Sequence, residues 1–545
     1  MPTRVSLPQS LAVVRGIDLS RTPSWENLPD PFTLGEMEKT VERIKSAIKL
    51  QEGIGIIGDY DADGITGVAQ LVRFFRRHGR EPHVILPHRK KDGYGIKRSF
   101  IDALHAKNVT LLLTVDTGIS HTEEIAYAKS LGMEVIVTDH HTMKEELPDA
   151  IILHPQFSKT DVHCFLSGSG VAFTLIRALE GDAWEGKEID VALAAVGTVA
   201  DVVPLLGENR TIVQLGLRAM NNKFSSSEPC TRALSAIGTG RVEKWAPIFD
   251  FARSVVKEGE AITSTHIGYR LAPRINASGR LADPLIALHG IVDGGENLER
   301  LHTLNVERQE ATRRMMEIAE EMITDAPILI LRSPMFHAGI IGLIAGRLTE
   351  RTGKPSIVAC EEGSKITCSL RSPSSYHIAE ALSRCGAFLT SFGGHREAGG
   401  CTLRGDQWAL FQSALLQDIA LQCKDVDFAP TMMIDAELSP NDLSLDLVRS
   451  ISQLEPFGAG NPEPKFLLRS QEMQSLRQVG TEGAHLQCKM GSFKAIGFGL
   501  GELCDRLPDR CDVVCRLGVD TWNGQERVQL FIEDMAPAMV PIISY

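Results

Sequence analysis

The sequence lacks any run of about 18 or more apolar residues. Its first residues also lack a charged head followed by an apolar core and a small-residue cleavage site, so neither a membrane span nor a secretory leader is expected. Eleven cysteines are scattered from Cys164 to Cys515 without a CxxC pair, and Cys511 with Cys515 has no second pair at zinc-site spacing. Reduced thiols in a cytoplasmic protein are the expectation. Positive charge is in deficit: the formal net charge is -12, the wrong sign for a protein that coats nucleic acid with a generally basic surface, so any such binding must be local. Low-complexity segments and short-period repeats are missing, which excludes a solenoid. No GxxxxGK[ST] segment occurs, which excludes an ATP-driven motor of the P-loop type.

What is present is a chain of 545 residues, too long for one hydrophobic core, with 43% hydrophobic and 23% charged residues, near the averages for globular proteins. In the first third, apolar runs alternate with helical stretches. Strands are expected at 54–57, 83–86, 111–115, 134–138 and 150–153, with helices at 66–78, 97–106 and 120–131 between them. That order, βαβαβαβ with short connections, predicts a doubly wound parallel-sheet α/β domain. From Glu296 to Ile323 the chain is rich in Glu, Arg, Met and Leu without Gly or Pro, which predicts one long, largely exposed helix joining two lobes. A second, smaller α/β region follows, with strands at 328–331 and 356–359 around a helix at 340–351. After Asp425 the pieces turn short and β-like, at 432–436, 485–490, 494–498, 512–517 and 528–532. Asn523-Gly524 between two of them signals a hairpin, and an OB-like β-barrel is expected here. The expected borders are 1–295, 296–324, 325–424 and 425–545.

Asp59-Tyr60-Asp61-Ala62-Asp63-Gly64 follows directly on the first strand, Asp116 leaves the third and Asp139-His140-His141 leaves the fourth. Open α/β sheets bind ligands at that edge. Clustered carboxylates raise one another's pKa unless something positive is bound among them, and divalent cations answer that need. Oxygen ligands suit Mg²⁺, and the added imidazole shifts the preference toward Mn²⁺. Any one of these aspartates alone serves equally well as a helix N-cap; the set on consecutive strand exits is what points to a site. Asp201, in Gly197 to Leu205, could complete the cluster, although local pattern alone does not select it.

The segments Asp59 to Gly64, Asp116-Thr117-Gly118, Asp139-His140-His141 and Gly197 to Leu205 resemble the four ordered motifs of the DHH phosphoesterases. Arg274-Ile275-Asn276-Ala277-Ser278-Gly279-Arg280, Phe392-Gly393-Gly394-His395 and Leu454-Glu455-Pro456-Phe457-Gly458 are similar to segments of that family's exonuclease branch, so the resemblance spans nearly the whole chain. It implies a two-metal nuclease using Mn²⁺ or Mg²⁺, with Asp59, Asp61, Asp63, Asp116, His140 and Asp201 on metal positions and His141 on the scissile phosphate. It further implies hydrolysis of single-stranded DNA from the 5′ end to 5′-mononucleotides, in repair and recombination. The second lobe resembles the DHH-associated domain, with His337, Ser369, Arg371 and His395 in its substrate-binding positions. Where relatives carry Gly-Ser-Gly-Arg-Ser, this chain reads Cys368-Ser369-Leu370-Arg371-Ser372, without the glycines that permit close backbone approach. Arg274, Asn276, Ser278 and Arg280 form a donor set for a terminal 5′-phosphate, with Arg89 before Gly93-Tyr94-Gly95 as a further phosphate candidate. Trp522 and Phe498 are stacking candidates in the barrel, where aromatic residues more often belong to the core. The resemblance also implies a monomer that works with a single-strand-binding protein and a helicase. Two rival readings are a phosphodiesterase of short oligonucleotides or cyclic dinucleotides, whose relatives lack the barrel, and a non-catalytic DNA-binding replication module, whose relatives lose metal ligands.

Overall fold

Gly-Ile-Gly-Ile-Ile-Gly has no polar side chain and must be covered on both faces. It forms β1 (Gly53–Gly58), inside a five-stranded sheet with β2 (His83–Ile85), β3 (Val109–Val115), β4 (Glu134–Thr138) and β5 (Ile151–Leu153). The order is β2-β1-β3-β4-β5 and every pairing is parallel. In this computed structural model the described residues are 6–89, 91–93, 95–181, 183–225, 246–424, 426, 428, 431–522 and 524–538, the side chains of 223–225 and 522 excepted. Strand order reverses between β1 and β3, the topological switch point where such sheets open a crevice beyond their carboxyl ends. Helix Ala62–Arg77 follows β1 and is buried from Ala62 to Phe75, packed against helices Gly168–Glu180 and Lys187–Ala200. It starts four residues before the expected 66, because the Asp61 side chain caps it by accepting from the Asp63 and Gly64 amides.

The expected long helix spans Glu296–Glu320 and is less exposed than its composition suggests. Leu301, Leu304, Asn305, Thr312, Met315 and Ala319 form a buried stripe along it. It leads into a second sheet, β6 (Leu329–Ser333), β7 (Ser356–Glu362), β8 (Lys365–Arg371), β9 (Ser391–Gly394) and β10 (Ala398–Arg404), in the order β6-β7-β8-β10-β9. Only β6 and β7 pair in parallel there. The two sheets and the long helix belong to one compact unit, Leu28–Asp201 with Ile212–Thr431.

The other unit comprises Met1–Asn27, Val202–Thr211 and Met432–Tyr545. Its seven-stranded mixed sheet contains β11 (Ala436–Leu438), β12 (Phe466–Glu472), β13 (Gln474–Val479), β14 (His485–Met490), β15 (Phe493–Gly497), β16 (Arg510–Trp522) and β17 (Gln525–Pro537), in the order β11-β12-β16-β17-β15-β14-β13. Residues 523–524 turn β16 back into β17, with Gly524 at φ 74°; Asn523 lies outside the described residues. The strand expected at 432–436 begins only at Ala436, because Met432, Met433 and Ile434 are exposed and have no core to cover. The expected domain 1–295 took in the N-terminal segment as an extension. Instead Leu11, Ala12 and Ile17 pack on Leu454, and Arg15 pairs with Asp435 at 2.6 Å, so this segment completes the C-terminal unit.

Candidate active site

Three of the acids in the Asp59–Gly64 segment occupy different structural roles: Asp59 ends the β1 exit, Asp61 is the helix N-cap and Asp63 lies in the first helical turn. Asp116 follows β3 with φ 59°, a left-handed backbone that the short Asp side chain tolerates. His140 and His141 follow β4, and Asp201 ends helix Lys187–Ala200. All of these converge. His140 Nε2 lies 3.1 Å from Asp116 Oδ1, 3.4 Å from Asp201 Oδ2 and 3.9 Å from Asp63 Oδ2. Donor atoms come within 4.8 Å of one another in three overlapping trios: Asp59, Asp61 and Asp116; Asp63, His140 and Asp201; and Asp116, His140 and His141.

The electrostatics of this cluster are those of a site short of positive charge. Burial, then repulsion from neighbouring aspartates, raises Asp63 to about 7 and Asp201 to about 10, and pushes Asp59 and Asp116 well above the usual carboxylate range. Burial, reinforced by the other histidines, lowers His140 to about 3. Its imidazole is therefore a neutral donor. Asp59 Oδ1, Asp116 Oδ1, His140 Nε2 and Asp201 Oδ2 are buried and accept or donate no hydrogen bond among the described residues. Unsatisfied buried oxygens around a neutral imidazole nitrogen fit divalent cations: ions would satisfy each of them and reverse the repulsion.

Supporting groups hold this cluster in place. Asp139 accepts from the backbone amides of Ile119, His140 and His141 and lies 2.8 Å from His141 Nδ1. Burial opposes its charge, but the His141 contact and these amides hold it down to about 2. Burial likewise opposes a proton on His141, yet Asp139 raises that ring above its ordinary value. Asp63 accepts from the Gly168 amide at 2.7 Å and the Ser169 amide at 3.0 Å, at the N-terminus of helix Gly168–Glu180, where the dipole favours an anion. A Cβ at Gly168 would lie 2.5 Å from Asp116 Cβ, so only glycine fits. The sequence reading passed over Ser167, Gly168 and Ser169, although Ser before a Gly-rich helix start is a legible N-cap signal.

Arg274 to Arg280 proves to be helical, within Ala272–Leu281, and this divides the expected donor set. Residues two apart face opposite ways on a helix, while residues four apart share a side. Ser278 is fully buried and its hydroxyl donates to the Ile275 carbonyl, and Arg274 donates to the Arg270 carbonyl. Asn276 accepts from the Ala62 amide at 2.8 Å, which fastens this helix to helix Ala62–Arg77. Arg280 donates to the Gly339 carbonyl at 3.1 Å; burial first, then Arg89, Arg308 and Arg371, lowers it to about 9.

The second lobe brings His337, Ser369, Arg371 and His395. His337 Nδ1 accepts from the Gly339 amide at 3.1 Å. Arg371 lies 3.3 Å from Ser369 Oγ, facing Gly342 at the start of helix Ile341–Thr352. The missing glycines do not obstruct this face: Cys368 and Leu370 alternate into the opposite, buried core. The His395 ring stacks near His141 with centroids 6.5 Å apart. The Arg89 guanidinium lies 5.2 Å over the Tyr60 ring. In the C-terminal unit, Phe498 is 58% exposed and stacks near Phe531 with centroids 6.4 Å apart. Tyr94 and the Trp522 ring lie outside the described residues.

Family models match three stretches: the DHH family, N-terminal domain, at 53–199, the DHHA1 domain at 325–421 and the RecJ OB domain at 434–534. The chain is 32% identical to the single-stranded-DNA-specific exonuclease RecJ of Bacillus subtilis, over 97% of this chain and 68% of that protein. It resembles the crystal structure of RecJ in complex with Mn²⁺ from Thermus thermophilus, with a TM-score of 0.81 at 28% identity, covering 98% of this chain and 76% of that one. The Mg²⁺ complex from the same organism gives 0.75 at 27% identity, covering 98% and 75%.

Proposed function

Because this chain belongs to the RecJ family of single-stranded-DNA-specific exonucleases, we propose that it removes nucleotides from the 5′ end of a single strand, with the acids and His140 of the first sheet as its hydrolytic centre. It is a metal-dependent exonuclease that uses Mn²⁺ or Mg²⁺. The observation that carries the residue assignment is the set of buried, unsatisfied oxygens around the neutral His140 ring.

Asp59, Asp61, Asp63, Asp116, His140 and Asp201 would hold two ions, and His140 Nε2 lies 3.1 Å from Asp116 Oδ1. When bound, such ions polarise the phosphodiester and make water a better nucleophile at neutral pH. The protein's own groups do the remainder. Asp139 accepts from the His140 backbone amide and holds the His141 ring at Nδ1, raising that ring above its ordinary value, and His141 would meet a phosphate oxygen. Asp63 is held by backbone amides, so the cluster does not depend on side-chain rotamers at that point. On the second lobe Ser369, Arg371, His337 and His395 supply donors along the strand, and Arg280 with Arg89 supplies charge for a terminal 5′-phosphate. An acidic body with a local arginine face does not coat DNA, and the sequence carries no P-loop motor. On the family resemblance alone, the reading extends to a monomer in the cytoplasm that receives strands opened by a helicase and covered by a single-strand-binding protein, in repair and recombination.

The test is a Mn²⁺-supplemented digest of a 5′-phosphorylated oligonucleotide blocked at one end or the other. Mononucleotides released only when the 5′ end is free are the expected result. Release from a free 3′ end alone would overturn the polarity.

A further inference from the structure

Tyr60 stands between two of the acids assigned to the metals, and its ring has no place in the hydrolysis described above. Two contacts converge on it, and a third fastens the same loop. The Arg89 guanidinium lies 5.2 Å from the ring centroid. Helix Ala272–Leu281 presses on the same residue through Gly279, where a Cβ would come within 2.8 Å of the Tyr60 carbonyl oxygen and 3.6 Å of its ring. Two residues on, Ala62 donates to Asn276 of that helix. Arg280, the next residue after Gly279, enters the cluster of guanidinium groups that includes Arg89 and Arg371.

No carboxylate lies within ion-pairing distance of Arg89 among the described residues, so nothing of that kind fixes its long side chain. A carboxylate would fix it only by occupying its N–H donors. An aromatic face holds a guanidinium through the cation–π interaction and leaves the donors at its edge open to a ligand. We propose that Tyr60 is the positioning residue of end recognition: its ring holds Arg89, and its packing on Gly279 holds Arg280, so that a terminal 5′-phosphate is gripped at a fixed distance from Asp59 and Asp61. This rests on the end-phosphate reading above and adds to it the element that ties grip to metal loop.

The experiment measures kcat and KM of the full chain with Mn²⁺ on matched oligonucleotides bearing a 5′-phosphate or a 5′-hydroxyl, together with Mn²⁺ affinity by calorimetry. Tyr60→Phe retains the ring and should preserve the preference for the phosphate. Tyr60→Leu should raise KM for the 5′-phosphate substrate by roughly 3- to 30-fold, the range of a cation–π contact. Its kcat, its KM for the hydroxyl substrate and its Mn²⁺ affinity should stay at wild-type values. A Tyr60→Leu protein that discriminates as the wild type does overturns the inference alone, as does one that loses kcat on both substrates and binds Mn²⁺ weakly, since that marks a prop for Asp59 and Asp61. A wild type blind to the end group overturns the inference together with the reading beneath it. If Tyr60→Leu does not fold, phenylalanines bearing successive ring fluorines at this position keep the shape and weaken the face. KM for the phosphate substrate should then climb with each fluorine, and a flat series overturns the inference.

Discussion

Two clusters in the larger unit mirror each other. In one, Asp59, Asp63, Asp116 and Asp201 crowd together with a neutral His140 and, among the described residues, no basic partner within ion-pairing distance other than histidine. In the other, burial and then the neighbouring Arg89 lower Arg280 and Arg371, burial and then Arg347 and Arg274 lower Arg308, and none of these four arginines has a carboxylate within that distance among the described residues. Elsewhere the same protein pairs its charges freely, as Arg73 does with Asp190 at 3.1 Å. Acids and arginines that could neutralise one another are kept apart, each cluster left with unanswered charge, which on the proposed function cations answer in the first and phosphates in the second. Function here is visible as electrostatic cost left unrelieved by the fold.

The comparison breaks most sharply at Asp116. Asp116→Asn keeps the volume and tolerates the φ of 59°, yet removes an oxygen common to two of the trios. Hydrolysis should fall by about a thousandfold or more. In EDTA the variant should melt at or above the wild-type temperature, because one buried repulsion is gone. Calorimetric melts with and without Mn²⁺, beside initial rates, would decide; a lower melting temperature in EDTA would mean the acid is structural. Next in size is Gly168→Ala, whose new methyl group meets Asp116 Cβ at 2.5 Å. Displacing a ligand through its support should weaken Mn²⁺ binding by about 10- to 100-fold, and unchanged affinity in a titration would show that the helix start does not set the site.

On the arginine side the effects should be smaller and should fall on binding. Arg371→Lys keeps the charge but loses the planar fork, and KM should rise about tenfold with kcat retained. Arg371→Gln should in addition flatten the salt dependence of binding by about 0.7 in log–log slope, one phosphate contact on a single strand. Binding isotherms at several salt concentrations separate the two, and equal slopes would remove Arg371 from the DNA path.

The acid cluster was legible in the sequence because strand exits deliver its members at one edge, and short apolar runs locate those exits. Asp61 shows that an N-cap and a candidate metal ligand can be the same residue, so the two readings of that aspartate did not compete. The arginine cluster was only half legible. Arg274, Asn276, Ser278 and Arg280 alternate as a strand-like set, but a helix sends Ser278 into the interior and turns Asn276 toward Ala62. Arg308 joins the cluster from the long helix, where its charge is indistinguishable in sequence from that of a solvated surface residue. Convergence of side chains from distant elements is a tertiary property, and no local pattern encodes it.

The smallest effect belongs to a pair that is satisfied, and it serves as the control. Asp418 accepts from Arg384 at 2.6 Å and from the buried Tyr376 hydroxyl at 2.8 Å. Burial alone would raise this carboxyl, but Arg384 and Tyr376 hold it below its ordinary value. A depressed folded-state pKa adds stability that is fully present above the unfolded value, about 3.9, and is lost as pH falls through the folded value. Asp418→Asn should therefore cost about 1 kcal/mol near neutral pH, with the gap from wild type closing below about pH 4. Denaturant melts at pH 7 and pH 3 measure it. Activity per folded molecule should be unchanged, because these charges already answer each other; a loss of kcat in this variant would mean that charge pairing inside the second lobe also tunes the site, and the contrast between answered and unanswered clusters would fail.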